Sequence, residues 1–160
     1  MHIGRRLVLA LLMGALVAVG IAVGSVGAAG GRTFNVMLSS AVEVPAPNDA
    51  ATGTARVSIN PGLKRVCYDI SWESVAPNTG GITVQHSHIH IAPVGSPGPI
   101  VVPLFMNLGS TAVNGSTSGC VTSDLTSSEL AAILSKPGEY YVNVHSALNP
   151  PGAIRAQLDS

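Results

Sequence analysis

Gln85-His86-Ser87-His88-Ile89-His90-Ile91 places a histidine at every second position, with Ser87, Ile89 and Ile91 in the gaps. Side chains on a β-strand alternate between its two faces, so this spacing puts three imidazoles on one face and the isoleucines on the other. A rise of roughly 3.3–3.4 Å per residue sets alternate α-carbons about 7 Å apart, within reach of a shared ion if the rings lean together. A helix would scatter the same residues around its circumference. The stretch therefore reads as a strand with an apolar core side and a polar outer side.

The same alternation recurs on both sides of it. Phe34, Val36 and Leu38 alternate with Asn35, Met37 and Ser39, and the same period runs through Ala55, Val57 and Ile59 and then Val66, Tyr68, Ile70 and Trp72. Asn60-Pro61-Gly62 is a turn between the second and third of these segments. Residues 100–108 are apolar but contain Pro103, which predicts an edge or bulged strand. Asn114-Gly115 predicts a type I′ hairpin turn between strands at 111–113 and 116–121. Near the end, Tyr140, Val142 and Val144 alternate with Tyr141, Asn143 and His145. Ile154, Ala156 and Leu158 alternate with Arg155 and Gln157.

One helix interrupts the strands. Thr126-Ser127-Ser128-Glu129 is a capping box, Leu130, Ile133 and Leu134 make one apolar stripe, and Lys136-Pro137-Gly138 ends it. The expectation is an all-β, antiparallel, Greek-key-like β-sandwich or flattened barrel of about eight short strands with one short helix.

If the branched residues fill the core, then His86, His88, His90, Asn143, His145, Arg155 and Gln157 share the outer face. Up to four imidazoles there suit zinc or copper, because neutral imidazole is a common ligand for both. Solvated histidines are the competing reading, and no cofactor is certain from the sequence. The chain has eight carboxylates, none within the histidine strand. Glu43, Asp49 and Glu139 are expected in turn or surface roles, and Arg155 is expected to pack across Tyr141 or to pair with a carboxylate.

Charge excludes other classes. The 160 residues carry no formal net charge and only 10% are charged, which leaves no basic stripe for nucleic acid. No G-x-S-x-G nucleophile motif and no identifiable pair of glycosidase carboxylates is present. Arg5-Arg6, the apolar run 7–23 and the small residues Val26-Gly27-Ala28-Ala29 read as an export signal. Residues 1–29 are therefore expected to be a signal peptide, with an uncleaved membrane anchor as the alternative, and residues 30–160 the folded domain. Export favours a disulfide between Cys67 and Cys120 over two free thiols, either along one outer face or across adjacent strands.

Four ordered motifs carry a resemblance: Glu43-Val44-Pro45, His88-Ile89-His90, Tyr140-Tyr141-Val142-Asn143-Val144-His145, and Pro151-Gly152-Ala153-Ile154-Arg155-Ala156-Gln157-Leu158. Together they resemble the chordin-type (CHRD) domain over about residues 34–158. The chain departs from that pattern at Ala46, where a second proline is usual, and at Ala153 and Ala156, where glutamate and glycine are usual. The resemblance implies a secreted or cell-surface (or periplasmic) β-domain acting as a non-enzymatic binding or structural module, its partner an unidentified extracellular protein or glycan. A looser similarity to copper–zinc superoxide dismutase implies copper-type ligands at His88, His90 and His145. Residues 92–108 contain no histidine or aspartate to form that enzyme's zinc loop, so this similarity implies at most a copper-only site.

Overall fold

The computed structural model describes residues 30–77, 79–81 and 83–159, and the export segment read in residues 1–29 lies outside the described residues. Eight strands form: β1 (Arg32–Ser39), β2 (Thr52–Asn60), β3 (Arg65–Glu73), β4 (Val84–Ile91), β5 (Ile100–Phe105), β6 (Gly115–Thr122), β7 (Tyr140–Ser146) and β8 (Ile154–Gln157). They pair antiparallel in the order β5-β4-β7-β8-β1-β2-β3-β6. The edge strands β5 and β6 touch, so the sheet curls into a nearly closed, flattened sandwich. Chain crossings from β3 to β4 and from β6 to β7 give the Greek-key-like character.

The alternation accounts for the core. Phe34, Val36 and Leu38 of β1 meet Ala55, Val57 and Ile59 of β2, Val66, Ile70 and Trp72 of β3, and Ile89, Val142, Val144 and Ile154 from the opposite half. Each fully buried valine, leucine or isoleucine contributes about 1.5–3 kcal/mol, more than the net ~1 kcal/mol of a typical neutral hydrogen bond. Helix α1 (Ser127–Ser135) adds Leu130 and Ile133 to this core. Its capping box forms as expected: Thr126 N–H donates to Glu129 Oε2 at 2.7 Å, and Glu129 N–H donates to Thr126 Oγ1 at 3.2 Å.

Pro103 lies on edge strand β5 as expected, and the β4–β5 register shifts on either side of His88-Ile89. Cys67 and Cys120 face each other across β3 and β6 and are joined by a disulfide. The expected hairpin at Asn114-Gly115 does not form. Residues 106–114 are a loop, and β6 pairs with β3 instead. The physical reason is that β3 and its flank already occupy this loop's polar groups. Trp72 Nε1–H and Thr83 Oγ1–H both donate to the Ala112 carbonyl, Val75 N–H donates to the Val113 carbonyl, and Ser74 N–H donates to Asn114 Oδ1.

Candidate metal centre

Strand register assembles the site in rows. His86 lies opposite His145, His88 opposite Asn143 and then Arg155, and His90 opposite Tyr141 and then Gln157. All these side chains lie on the sheet face away from Ile89, Val142 and Val144, as the alternation requires.

That face is not the open, solvated surface the sequence suggests. His88, His90 and His145 are only 5–8% exposed, and Asn143, Arg155 and Gln157 are equally buried. Three connections fold back over the sheet, and the polar side chains satisfy their backbone groups. The Gly98 carbonyl accepts from His90 Nδ1 at 2.9 Å, and Gly98 N–H donates to the Tyr141 hydroxyl at 3.1 Å. Arg155 Nη1 donates to the Ser96 carbonyl and Gln157 Nε2 to the Ala92 carbonyl. From the loop after β7, the Pro150 carbonyl accepts from His145 Nδ1 at 2.9 Å. Asn149 of that loop donates to Asp49, which ties it to the connection between β1 and β2. Gly98 is required here, because a β-carbon would collide with the Ile91 carbonyl.

These bonds dictate tautomers. A carbonyl oxygen can only accept, so neutral His90 and His145 carry their proton on Nδ1 and present a bare lone pair at Nε2. His88 Nε2 lies 3.2 Å from the Met106 thioether, a weak acceptor, which leaves its lone pair on Nδ1. His88 Nδ1, His90 Nε2 and His145 Nε2 are the three buried ring nitrogens without a hydrogen-bond partner among the described residues. The three histidines bring one ligand atom each to within 4.8 Å of one another. Nitrogens bound to one ion at about 2.0–2.1 Å lie about 3.3 Å apart, so closure onto an ion needs small ring movements only. The donor set therefore fits a transition metal. His86 stands apart: it is half-buried, and its Nδ1 accepts from Asn107 N–H at 3.2 Å.

Electrostatics keeps the cluster neutral. Burial, reinforced by the charges of His145, His90 and His86, holds His88 down to about 3. Burial also lowers His90, with the Gly98 carbonyl opposing and Arg155 assisting. His145 is lowered chiefly by burial, against the pull of the Pro150 carbonyl. Unprotonated imidazole is the ligating form.

Glu43 corrects another expectation. It follows a short 3-10 turn, yet its side chain is buried against Asn143 beneath Gly152 instead of lying in a surface turn. Burial pushes its carboxyl up to about 7, although Arg155, the Val44 backbone and Asn143 pull the other way. Period-two reading could not find this residue, because it lies outside any strand. The motif Glu43-Val44-Pro45 was its one signal. Arg155 stacks on Tyr141 at 3.5 Å, as expected, and Tyr141 stacks in turn on His90 at 4.8 Å. Asp49 keeps its turn role by accepting from Ala51 N–H, and Glu139 pairs with exposed Lys136.

A protein-family model described as the CHRD domain matches residues 34–158. No curated protein and no solved structure matches the chain.

Proposed function

The chain belongs to the CHRD domain family, and from that premise we propose that it is a secreted or surface binding module whose three-histidine cluster holds one copper or zinc ion. One observation carries the reading: three buried imidazoles come together, each with one partnerless ring nitrogen, while the opposite nitrogen of each ring is held by the protein. Leaving three polar atoms buried and unsatisfied is costly, and a bound ion removes that cost. Held outer nitrogens are the usual support of metal-binding histidines. His88, His90 and His145 would supply the bonds, and the ion would cross-link β4 to β7. Nothing in this role needs turnover. The leader-like sequence of residues 1–29 supports export, which also suits the family and the disulfide.

The test is metal content of the untagged protein, followed by titration with Cu(II) and Zn(II), alongside a His88→Ala/His145→Ala double variant. One tightly bound ion, absent from the variant, supports the reading. Binding that is weak and indifferent to both substitutions refutes it. A copper enzyme would use the same three histidines. Superoxide consumption by the loaded protein, lost in His88→Ala, would favour that second reading over the binding module.

A further inference from the structure

A groove opens on the same sheet face, beside the metal centre but not part of it. Met37 and Ser39 of β1 and Arg155, Ala156 and Gln157 of β8 form its floor, with Val42 on one wall and Val94-Gly95 on the other. Its volume is about 190 Å³. Met37, Val42 and Val94 are 72%, 51% and 75% exposed. Scattered surface apolar residues are ordinary, but three around one concavity make a patch that water covers poorly.

The floor carries a buried cation that has no direct ion pair among the described residues. Arg155 is 2% exposed, and among the described residues no carboxylate lies within ion-pair distance of it. Its hydrogen bonds run from Nη1 to the Ser96 carbonyl and from Nη2 to Gln157 Oε1, both uncharged acceptors. A guanidinium has five N–H donors, so these two bonds leave donors over. Glu43 acts on Arg155 only beyond ion-pair distance and is itself held toward its neutral form by burial. A buried cation with no direct ion pair therefore remains costly, and an arriving carboxylate would recover part of that cost through charge-assisted bonds.

We propose that this groove binds a small amphipathic carboxylate, with its aliphatic chain against Met37, Val42 and Val94 and its carboxylate directed at Arg155. The guanidinium lies on Tyr141, and Tyr141 lies on His90, so the ligand would sit two stacked side chains from the metal centre. The groove does not depend on a bound ion, and the metal-binding reading can fail without affecting it.

Calorimetric titration of the protein with octanoate, octanol and octylammonium tests the proposal, with Val94→Asp and Val94→Lys as variants. Val94 is exposed, so both variants should fold. Expected is saturable binding of one octanoate per chain, weakened about tenfold or more in octanol, which lacks the charge. Val94→Asp should weaken octanoate similarly, whereas Val94→Lys should not. Equal binding of octanoate and octanol, preference for octylammonium, or indifference to Val94→Asp would overturn the proposal. So would a dimer seen by sedimentation that Val94→Asp splits and octanoate leaves intact, because the apolar walls would then be covered by a second copy.

Discussion

The Gly98 carbonyl accepts the Nδ1 proton of His90 at 2.9 Å, and this bond joins the loop before β5 to the three-histidine cluster. It does two things at once: it roofs the sheet and it fixes the His90 proton on Nδ1, which leaves Nε2 bare. Gly98→Ala would drive a β-carbon into the Ile91 carbonyl and push the loop away. Metal affinity should fall about 10–100-fold, the usual loss when the support of a ligating histidine is removed. Copper titration of a variant whose circular dichroism is unchanged checks this, and wild-type affinity would separate the loop from the ligand set.

His86 and His88 are near neighbours with opposite expected roles. His86→Ala should leave one ion bound with affinity unchanged within a few-fold, because its Nδ1 is engaged by Asn107 and it lies outside the three-nitrogen cluster. His88→Ala should remove tight binding. Comparable losses in both variants would mean that the alternating strand binds metal along its length and not at one centre.

The cluster also makes stability depend on pH. Free imidazoles take up protons near 6.5, but His88, His90 and His145 are all held lower in the fold. The unfolded chain therefore binds more protons than the folded one, and these groups' contribution is full above about pH 6.5 and lost as pH falls toward about 3. Glu43 acts oppositely. Its folded value of about 7 exceeds its ordinary 4.5, so its contribution is present below about 4.5 and lost as pH rises through about 7. Three groups oppose one, and the melting temperature of the metal-free protein should drop between about pH 6.5 and pH 4. A flat profile would show that the imidazoles titrate freely.

Glu43→Gln isolates the opposing contribution. The amide keeps the shape and removes the charge, so the variant should match the native protein near pH 4 and exceed it near pH 8. Denaturant midpoints at the two pH values measure this. A variant destabilised at both would mean that the carboxyl stabilises the fold even when ionised, through Arg155.

Gly152 packs directly on the Glu43–Asn143 pair, and its φ of +155° is one that other residues avoid. A β-carbon would lie 2.5 Å from Glu43 Oε2 and 2.7 Å from Asn143 Nδ2. Gly152→Ala should therefore destabilise the domain by about 1–3 kcal/mol, the range for overpacking a filled interior. Urea denaturation gives the value. A neutral result would mean that the Glu43 loop moves aside without cost.

Breaking the disulfide should cost more. Cys67 and Cys120 close a loop with a sequence separation of 53, worth about 4 kcal/mol in the chain-entropy account. A Cys67→Ala/Cys120→Ala variant with an unshifted melting temperature would show that the β3–β6 ladder alone restrains the chain.

The alternation of His86, His88 and His90 with Ser87, Ile89 and Ile91 determined on its own that these residues form a strand, which face meets the core, and that the imidazoles share the other face. The same period placed Asn143, His145, Arg155 and Gln157 with them, because β-sheet geometry forces alternate residues onto one side. The capping box of α1 and the edge position of Pro103 were equally local, since each depends on backbone groups within a few residues. Burial of the polar face was not local. It depends on where residues 92–99 and 147–153 return, and those segments have no period to read. Only tertiary structure decided that His86 is left out, that Glu43 is brought in, and that Ala112 and Val113 serve β3's flank instead of forming a hairpin. It also decided which nitrogen of each histidine is bare, because that follows from a carbonyl or thioether supplied by another part of the chain.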